Sequence, residues 1–209
     1  KTVAMVGTTG AGKSTIAKLV FRLYDTSGGQ ILINNQDIRS IKQESLQALI
    51  GVVPQETVLF NDTLLHNIMY GKPNATRREV KEAIRMAHLE HYIRSMPEGL
   101  FTMVGERGLK LSGGEKQRVG ISRVVLKRPK LYIFDEATSA LDTQTERDIQ
   151  KNLQEISQGA TTLIIAHRLS TITHADEIIV LHKGNIVERG NHVELLEKNG
   201  LYDKLWKQQ

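Results

Sequence analysis

The stretch Gly7-Thr8-Thr9-Gly10-Ala11-Gly12-Lys13-Ser14 decides the fold of this chain, because of what stands on either side of it. Before it runs Thr2-Val3-Ala4-Met5-Val6, apolar enough for a strand covered on both faces. After it come Ile16, Leu19, Val20 and Leu23, spaced as one face of a helix. The eight residues satisfy G-x-x-x-x-G-K-[S/T], and strand, loop and helix occur in the order that pattern needs. Glycines let such a loop turn its N–H groups inward on phosphate oxygens, and the helix start adds the positive end of its dipole. Lys13 is placed to reach the outer phosphates. Ser14 is placed to offer a hydroxyl to Mg²⁺, an ion that takes few protein ligands. A nucleoside triphosphate is the expected ligand, held by Gly7, Thr8, Thr9, Gly10, Ala11, Gly12, Lys13, Ser14 and Thr15.

Three further apolar runs follow: Leu131-Tyr132-Ile133-Phe134, Thr161-Thr162-Leu163-Ile164-Ile165 and Ile178-Ile179-Val180-Leu181. None alternates, so each is expected to be a parallel strand covered on both faces. Ile149, Leu153 and Ile156 form one helical face between the first two, as a crossover requires. Lys183-Gly184-Asn185 is expected to turn the last strand into Ile186-Val187. Residues 62–126 have a different character. Val80, Ala83, Ile84 and Ala87 share a helix face behind the capping box Thr76-x-x-Glu79, which predicts a helical lobe inserted between core segments 1–61 and 127–209. The fold class expected is α/β: a phosphate-loop core with a mainly parallel sheet, a small antiparallel β portion and the inserted helical lobe.

Asp135-Glu136 ends the strand at 131–134, at the carboxyl edge where open α/β sheets place their ligands. Neighbours on an extended chain diverge, so Asp135 is suited to hold Mg²⁺ and Glu136 to polarise the water that attacks the γ-phosphate. Leu111-Ser112-Gly113-Gly114-Glu115 precedes a helix expected to reach about Leu126, and Ser112 with Glu115 forms a second capping box. Two adjacent glycines at a helix start make a second potential phosphate site, beside the plainer reading that the segment only starts a helix.

The 209 residues suffice for one core with an inserted lobe. Hydrophobic residues at 40% and charged residues at 24% are ordinary for a soluble globular chain, and no apolar run approaches the ~18 residues of a membrane span. The formal charge of +5 is compatible with a nucleotide, a nucleic acid or a membrane-facing partner. The absence of cysteine excludes disulfides and cysteine metal clusters. His88 and His91 are spaced i, i+3 but lack a further ligand, so they are read as surface residues. Lys1 stands directly before a core strand, which suggests a piece of something longer.

In this order, residues 7–14, Leu111-Ser112-Gly113-Gly114-Glu115 and Asp135-Glu136 resemble the phosphate loop, signature motif and catalytic carboxylates of the nucleotide-binding domain of ATP-binding-cassette (ABC) proteins. The resemblance covers essentially the whole chain. It implies that Gln55, in Val52-Val53-Pro54-Gln55, senses Mg²⁺ and the attacking water, and that Ser139-Ala140-Leu141-Asp142 is the D-loop. It gives His167 the switch position that contacts the γ-phosphate. It further implies a head-to-tail pair of domains in which Ser112, Gly113 and Gly114 of one close over the ATP held by Lys13 of the other, with Asp142 at the same interface.

Thr102-Met103-Val104-Gly105-Glu106-Arg107-Gly108 resembles the X-loop of exporters, which touches the coupling helices of the membrane domains, and the stretch from Gln55 to Leu64 is also exporter-like. Residues 102–118 are similar to the mitochondrial exporters linked to iron–sulfur and glutathione chemistry and to their bacterial relatives. Location at the cytoplasmic or matrix face of a membrane is implied with them, and no nucleic acid is expected. Two departures from the family stand out. The aromatic residue that stacks on adenine would lie upstream of Lys1. Gly120 and Ser122 also stand where alanine is common, and a glycine inside a helix costs ~1 kcal/mol. Two other readings remain at this level, a soluble ABC ATPase of nucleic-acid repair or ribosomes and a regulatory ATP-binding module. The presence of Glu136 and His167 speaks for turnover.

Overall fold

The computed structural model describes residues 1–106, 109–137 and 141–209. In chain order the elements are β1 (Thr2–Gly7), α1 (Lys13–Val20), β2 (Leu32–Ile33), β3 (Gln36–Asp37), α2 (Gln43–Leu49), β4 (Ile50–Val53), β5 (Asp62–Thr63), α3 (Leu64–Met69), α4 (Arg77–Met86) and α5 (Glu90–Ser95). There follow β6 (Met103–Val104), α6 (Gly113–Lys127), β7 (Leu131–Asp135), α7 (Thr143–Ile156), β8 (Thr161–Ile165), β9 (Glu177–His182), β10 (Asn185–Gly190), α8 (His192–Glu197) and α9 (Leu201–Lys207). The chain divides into two compact units. The first comprises Lys1–Gly51, Lys130–Glu136 and Gly159–Gln209; the second comprises Val52–Pro129 and Ala137–Gln158.

The main sheet has the order β10-β9-β1-β8-β7-β4. β1 lies parallel between β8 and β9, and β7 runs parallel to β8, so β1, β7 and β8 end at one edge. β10 returns antiparallel on β9 through the expected turn at Lys183-Gly184. The small antiparallel portion takes the form of two-stranded ribbons, β2 with β3 and β5 with β6. In the first unit Ala4, Val6, Ile178 and Val180 face Leu169, Ile172, Leu195 and Tyr202. Each large apolar side chain buried this way contributes about 1.5–3 kcal/mol. Tyr202 is wholly buried, its hydroxyl lies 2.8 Å from His192 Nδ1, and burial pushes its pKa up to about 12.

One expectation fails in this unit. Leu23 is not on the face of α1, because the helix stops at Val20 and Leu23 is exposed. Arg22 adopts the left-handed conformation at φ 54°, and its guanidinium donates to the carbonyls of Ile38 and Ile41 and pairs with Asp25. Gln43 and Gln47 donate to the carbonyls of Arg22 and Phe21 just past the helix end. Tertiary hydrogen bonds therefore override the helical periodicity.

The second unit is built on α6. Val119, Ile121, Val124, Val125 and Leu126 are buried on it, and α3, α4 and α7 contribute Leu64 and Ile68, Val80, Ala83 and Ile84, and Ile149, Leu153 and Ile156. Both capping boxes form as expected, Thr76 with Glu79 at α4 and Ser112 with Glu115 at α6. Asn67 is wholly buried in α3. It accepts the Phe60 N–H and donates to the carbonyls of Phe60 and Thr63, fixing the turn before β5.

Candidate nucleotide site

β1 delivers the phosphate loop. A Cβ at Gly7 would lie 2.2 Å from the Leu181 carbonyl oxygen, so only glycine lets the loop leave the sheet this close to β9. The Ala11 N–H closes a turn on the Thr8 carbonyl at 3.1 Å, and the Gly184 N–H holds the Ala11 carbonyl at 3.2 Å. These two bonds fix the curve of the loop against the β9–β10 turn, as a loop that presents N–H groups to an anion requires. α1 begins at Lys13 behind Gly12. The Lys13 side chain is buried, and its Nζ donates to the Gly7 carbonyl at 2.9 Å and the Thr8 carbonyl at 3.5 Å. Thr8, Thr9, Gly10 and Thr15 are exposed, and Ser14 is half-buried in the first turn of α1. The donors and the ammonium fit a polyphosphate.

Asp135 closes β7 at the same edge of the sheet. Burial raises its pKa, the Glu136 carboxylate raises it further, and Lys18 and Lys13 oppose the rise. A carboxylate held up in this way gains from an added cation, which suits Mg²⁺. Among the described residues no three His, Asp or Glu side chains gather as a metal cluster, so an ion here would take its remaining ligands from phosphate and water. Glu136 follows in the left-handed conformation, φ 48°, its N–H donating to the Ile165 carbonyl at the end of β8. That twist turns the Glu136 backbone out of the line of β7. His167 stands two residues beyond β8 and is exposed, with its carbonyl held by Gln209 Nε2 at 2.7 Å. The first unit therefore brings Lys13, Asp135, Glu136 and His167 to the ends of three adjacent parallel strands.

The remaining candidates lie in the second unit. Ser112 caps α6, its hydroxyl accepting the Glu115 N–H while the Glu115 carboxylate accepts the Ser112 N–H. The two glycines there also serve packing, which the sequence reading missed. A Cβ on Gly114 would lie 2.7 Å from Thr145 Cγ2, and one on Gly113 would lie 3.2 Å from Leu141 Cδ2. Asp142 caps α7 by accepting the Thr145 N–H, and its pKa is lowered by the Thr145 hydroxyl and N–H. Gln55 lines a cavity of about 630 Å³ with Val58, Glu106, Lys110, Gly113 and Lys116. Arg107 and Gly108 of the 102–108 segment, and Ser139 and Ala140 before Leu141, lie outside the described residues. His88 pairs with Glu155, and the His91 ring meets Tyr92 edge-on.

Sequence reasoning missed three polar residues of α6. Gln117 and Arg118 are buried on α6, and Arg123 is half-buried beneath the rings of Phe60 and Tyr70. No local pattern marks them, because they stand on a helix that is buried nearly all round from Gln117 to Leu126.

The chain is similar to known proteins along its whole length. The family model described as ABC transporter matches residues 1–139. ABC transporter B family member 6 of Dictyostelium discoideum is 57% identical over 209 residues, all of this chain and 31% of that protein. The ATM1-type heavy metal exporter of Novosphingobium aromaticivorans is 54% identical over 207 residues, 99% of this chain and 34% of that protein. A solved structure of a bacterial Atm1-family ABC exporter with ATP bound superimposes with a TM-score of 0.92 at 53% identity, over 99% of this chain and 36% of that one. The chain spans about a third of the length of these relatives. A phosphate loop buttressed by a neighbouring hairpin, carboxylates at the adjoining strand end and this degree of likeness lead to one conclusion: the chain belongs to the ABC transporter family, as an ATP-binding domain of it.

Proposed function

We infer that the domain hydrolyses ATP and, paired head to tail with a second ABC ATPase domain, drives export through membrane domains carried elsewhere in the transporter. The observation that carries this reading is the gathering of Lys13, Asp135, Glu136 and His167 at one sheet edge within one compact unit. Gly7, Thr8, Thr9, Gly10, Ala11, Gly12, Lys13, Ser14 and Thr15 hold the triphosphate. Ser14 and Asp135 would hold Mg²⁺, with Gln55 as the further ligand that the family resemblance implies, and the ion would neutralise charge on the outer phosphates. Glu136 takes a proton from water as the water oxygen bonds to the γ-phosphorus. The bond from that phosphorus to the bridging oxygen breaks, and ADP leaves with the electron pair. His167 orients the γ-phosphate, and Gln55 keeps the sensing role that the family resemblance gives it. Ser112, Gly113 and Gly114 close over the ATP of the partner domain, with Asp142 at the same interface.

Segment 102–108 faces the membrane domains in this reading. The cavity beside Gln55 and the exposed Val58, Phe101 and Met103 nearby in sequence support an apolar partner there. Export by relatives named for heavy metals points to the same class of machine, at the cytoplasmic or matrix face of its membrane. Glu136→Gln tests the chemistry. It should leave ATP binding within about twofold of wild type while lowering turnover at least a hundredfold, as removal of a general base does. Wild-type turnover in that variant would overturn the assignment.

A further inference from the structure

β8 ends at Ile165, and the backbone that carries His167 is held on both sides of that histidine. Upstream, the Ala166 N–H donates to the Met5 carbonyl of β1 at 3.1 Å, and the Ile165 carbonyl accepts the Glu136 N–H at 2.9 Å. Downstream, Leu169–Thr171 forms a 3₁₀ turn, and the residue before it, Arg168, supplies no side-chain cap. Gln209 supplies one instead: its Oε1 accepts the Leu169 N–H at 2.7 Å, while its Nε2 donates to the His167 carbonyl at 2.7 Å. One planar amide therefore spans Arg168 and fixes the direction of the His167 carbonyl. With the Ala166 N–H anchored before it and its own carbonyl anchored after it, the backbone bearing the imidazole keeps one orientation at the sheet edge.

Gln209 can brace His167 because α9 is itself tied down. The Glu188 carboxylate of β10 accepts the N–H groups of Leu201 and Tyr202 at the start of the helix. Tyr202 is wholly buried, and Leu201, Leu205 and Trp206 pack against the cluster that contains Ala166, Leu169 and Ile172. The Trp206 ring lies 4.7 Å from that of His192, and the Gln209 N–H returns to the Trp206 carbonyl at 3.3 Å. The amide thus stands on a fixed base, all of it within the first compact unit. Gln209 is exposed, and water competes for each of its bonds, so the pair adds little to stability. What the pair sets is geometry. Given the role proposed above for His167, we propose that Gln209 is a positioning residue for the reaction: it holds His167 by the backbone so that the imidazole stands ready for the γ-phosphate.

Gln209→Met keeps length and removes both bonds. Turnover at saturating Mg-ATP should fall about fivefold to tenfold, because a shifted imidazole costs rate, with KM and ADP affinity within about twofold of wild type. Tm without nucleotide should stay within about 2 °C of wild type, as for other exposed substitutions. Single-turnover hydrolysis then asks whether Gln209 acts through His167. His167→Ala alone should lower the rate more than Gln209→Met does, and adding Gln209→Met to it should change the rate by less than about twofold. A merely structural Gln209 would multiply the two defects. Amide hydrogen exchange without nucleotide reads the brace independently of activity: Gln209→Met should speed exchange at Leu169 about tenfold and leave β8 and α9 unchanged. Wild-type turnover in Gln209→Met, multiplied defects in the double variant, or unchanged exchange at Leu169 would each overturn the proposal while leaving His167 its role. Wild-type turnover in His167→Ala would overturn that role itself, and Gln209 would then hold a segment the reaction does not use.

Discussion

Lys13→Met separates the ligand-binding role of this side chain from any part it has in the fold. The substitution keeps length and removes the ammonium. Without nucleotide, Nζ has two carbonyl partners, at 2.9 and 3.5 Å, and is buried. The lost charge-assisted hydrogen bond, about 1.5–3 kcal/mol, is offset by no longer burying a charge, so stability should stay within about 1 kcal/mol of wild type. With ATP the balance changes, because the ammonium reaches phosphate, and losing that contact should raise Kd roughly tenfold to a hundredfold. ATP at one hundred times the wild-type Kd stabilises wild type by about 2.7 kcal/mol, roughly 5–11 °C in Tm for a chain of this size. In Lys13→Met the same ATP should give only about 0.4–1.4 kcal/mol. Thermal melts of both proteins with and without Mg-ATP provide the assay. A full wild-type shift in the variant would refute the phosphate-loop reasoning. A variant that melts far below wild type without ATP would show that Lys13 serves the fold.

Asn67→Ala should destabilise the second unit by about 3–4 kcal/mol, since it removes a buried amide with donors and acceptors on Phe60, Thr63 and Arg123; urea denaturation followed by circular dichroism measures it. Gly120→Ala should fail to yield the ~1 kcal/mol of a better helix former until Thr57→Ala clears the collision, a non-additivity that a double-mutant cycle reads. Glu79 is held at about 2, against its usual 4.5, first by the Lys72 ammonium and then by the Thr76 N–H and hydroxyl. A lowered carboxylate pKa contributes stability that is fully present above 4.5 and lost as pH falls toward about 2. Glu79→Gln should therefore flatten the fall of the urea midpoint within that window, and an unchanged pH profile would count against the pairing.

The parts of the fold legible in the sequence were those governed by local pattern. Strands buried on both faces announce themselves as apolar runs, and β1, β7, β8 and β9 lie within a residue or two of where those runs fall. The capping boxes at Thr76 and Ser112 are equally local. What stayed hidden depends on contacts distant in sequence. β5 and β6 are two residues each and pair across some forty residues, too short for any periodicity. α1 ends early because Arg22 finds carbonyls at Ile38 and Ile41. Gly114 reads as an anion site or a plain helix start, and its packing against Thr145 leaves no local sign. Gln117 and Arg123 look like ordinary polar helix residues until the loop from Pro54 to Val58 is laid on them.

Two copies of this domain are proposed to complete each other's ATP sites. ATP turnover per chain measured against protein concentration, beside size-exclusion chromatography of Glu136→Gln in Mg-ATP, tests it most directly. Sites completed across a pair give a rate per chain that rises with concentration and a dimer trapped by the variant. A rate per chain independent of concentration, from protein that binds ATP and stays monomeric in both forms, would contradict it.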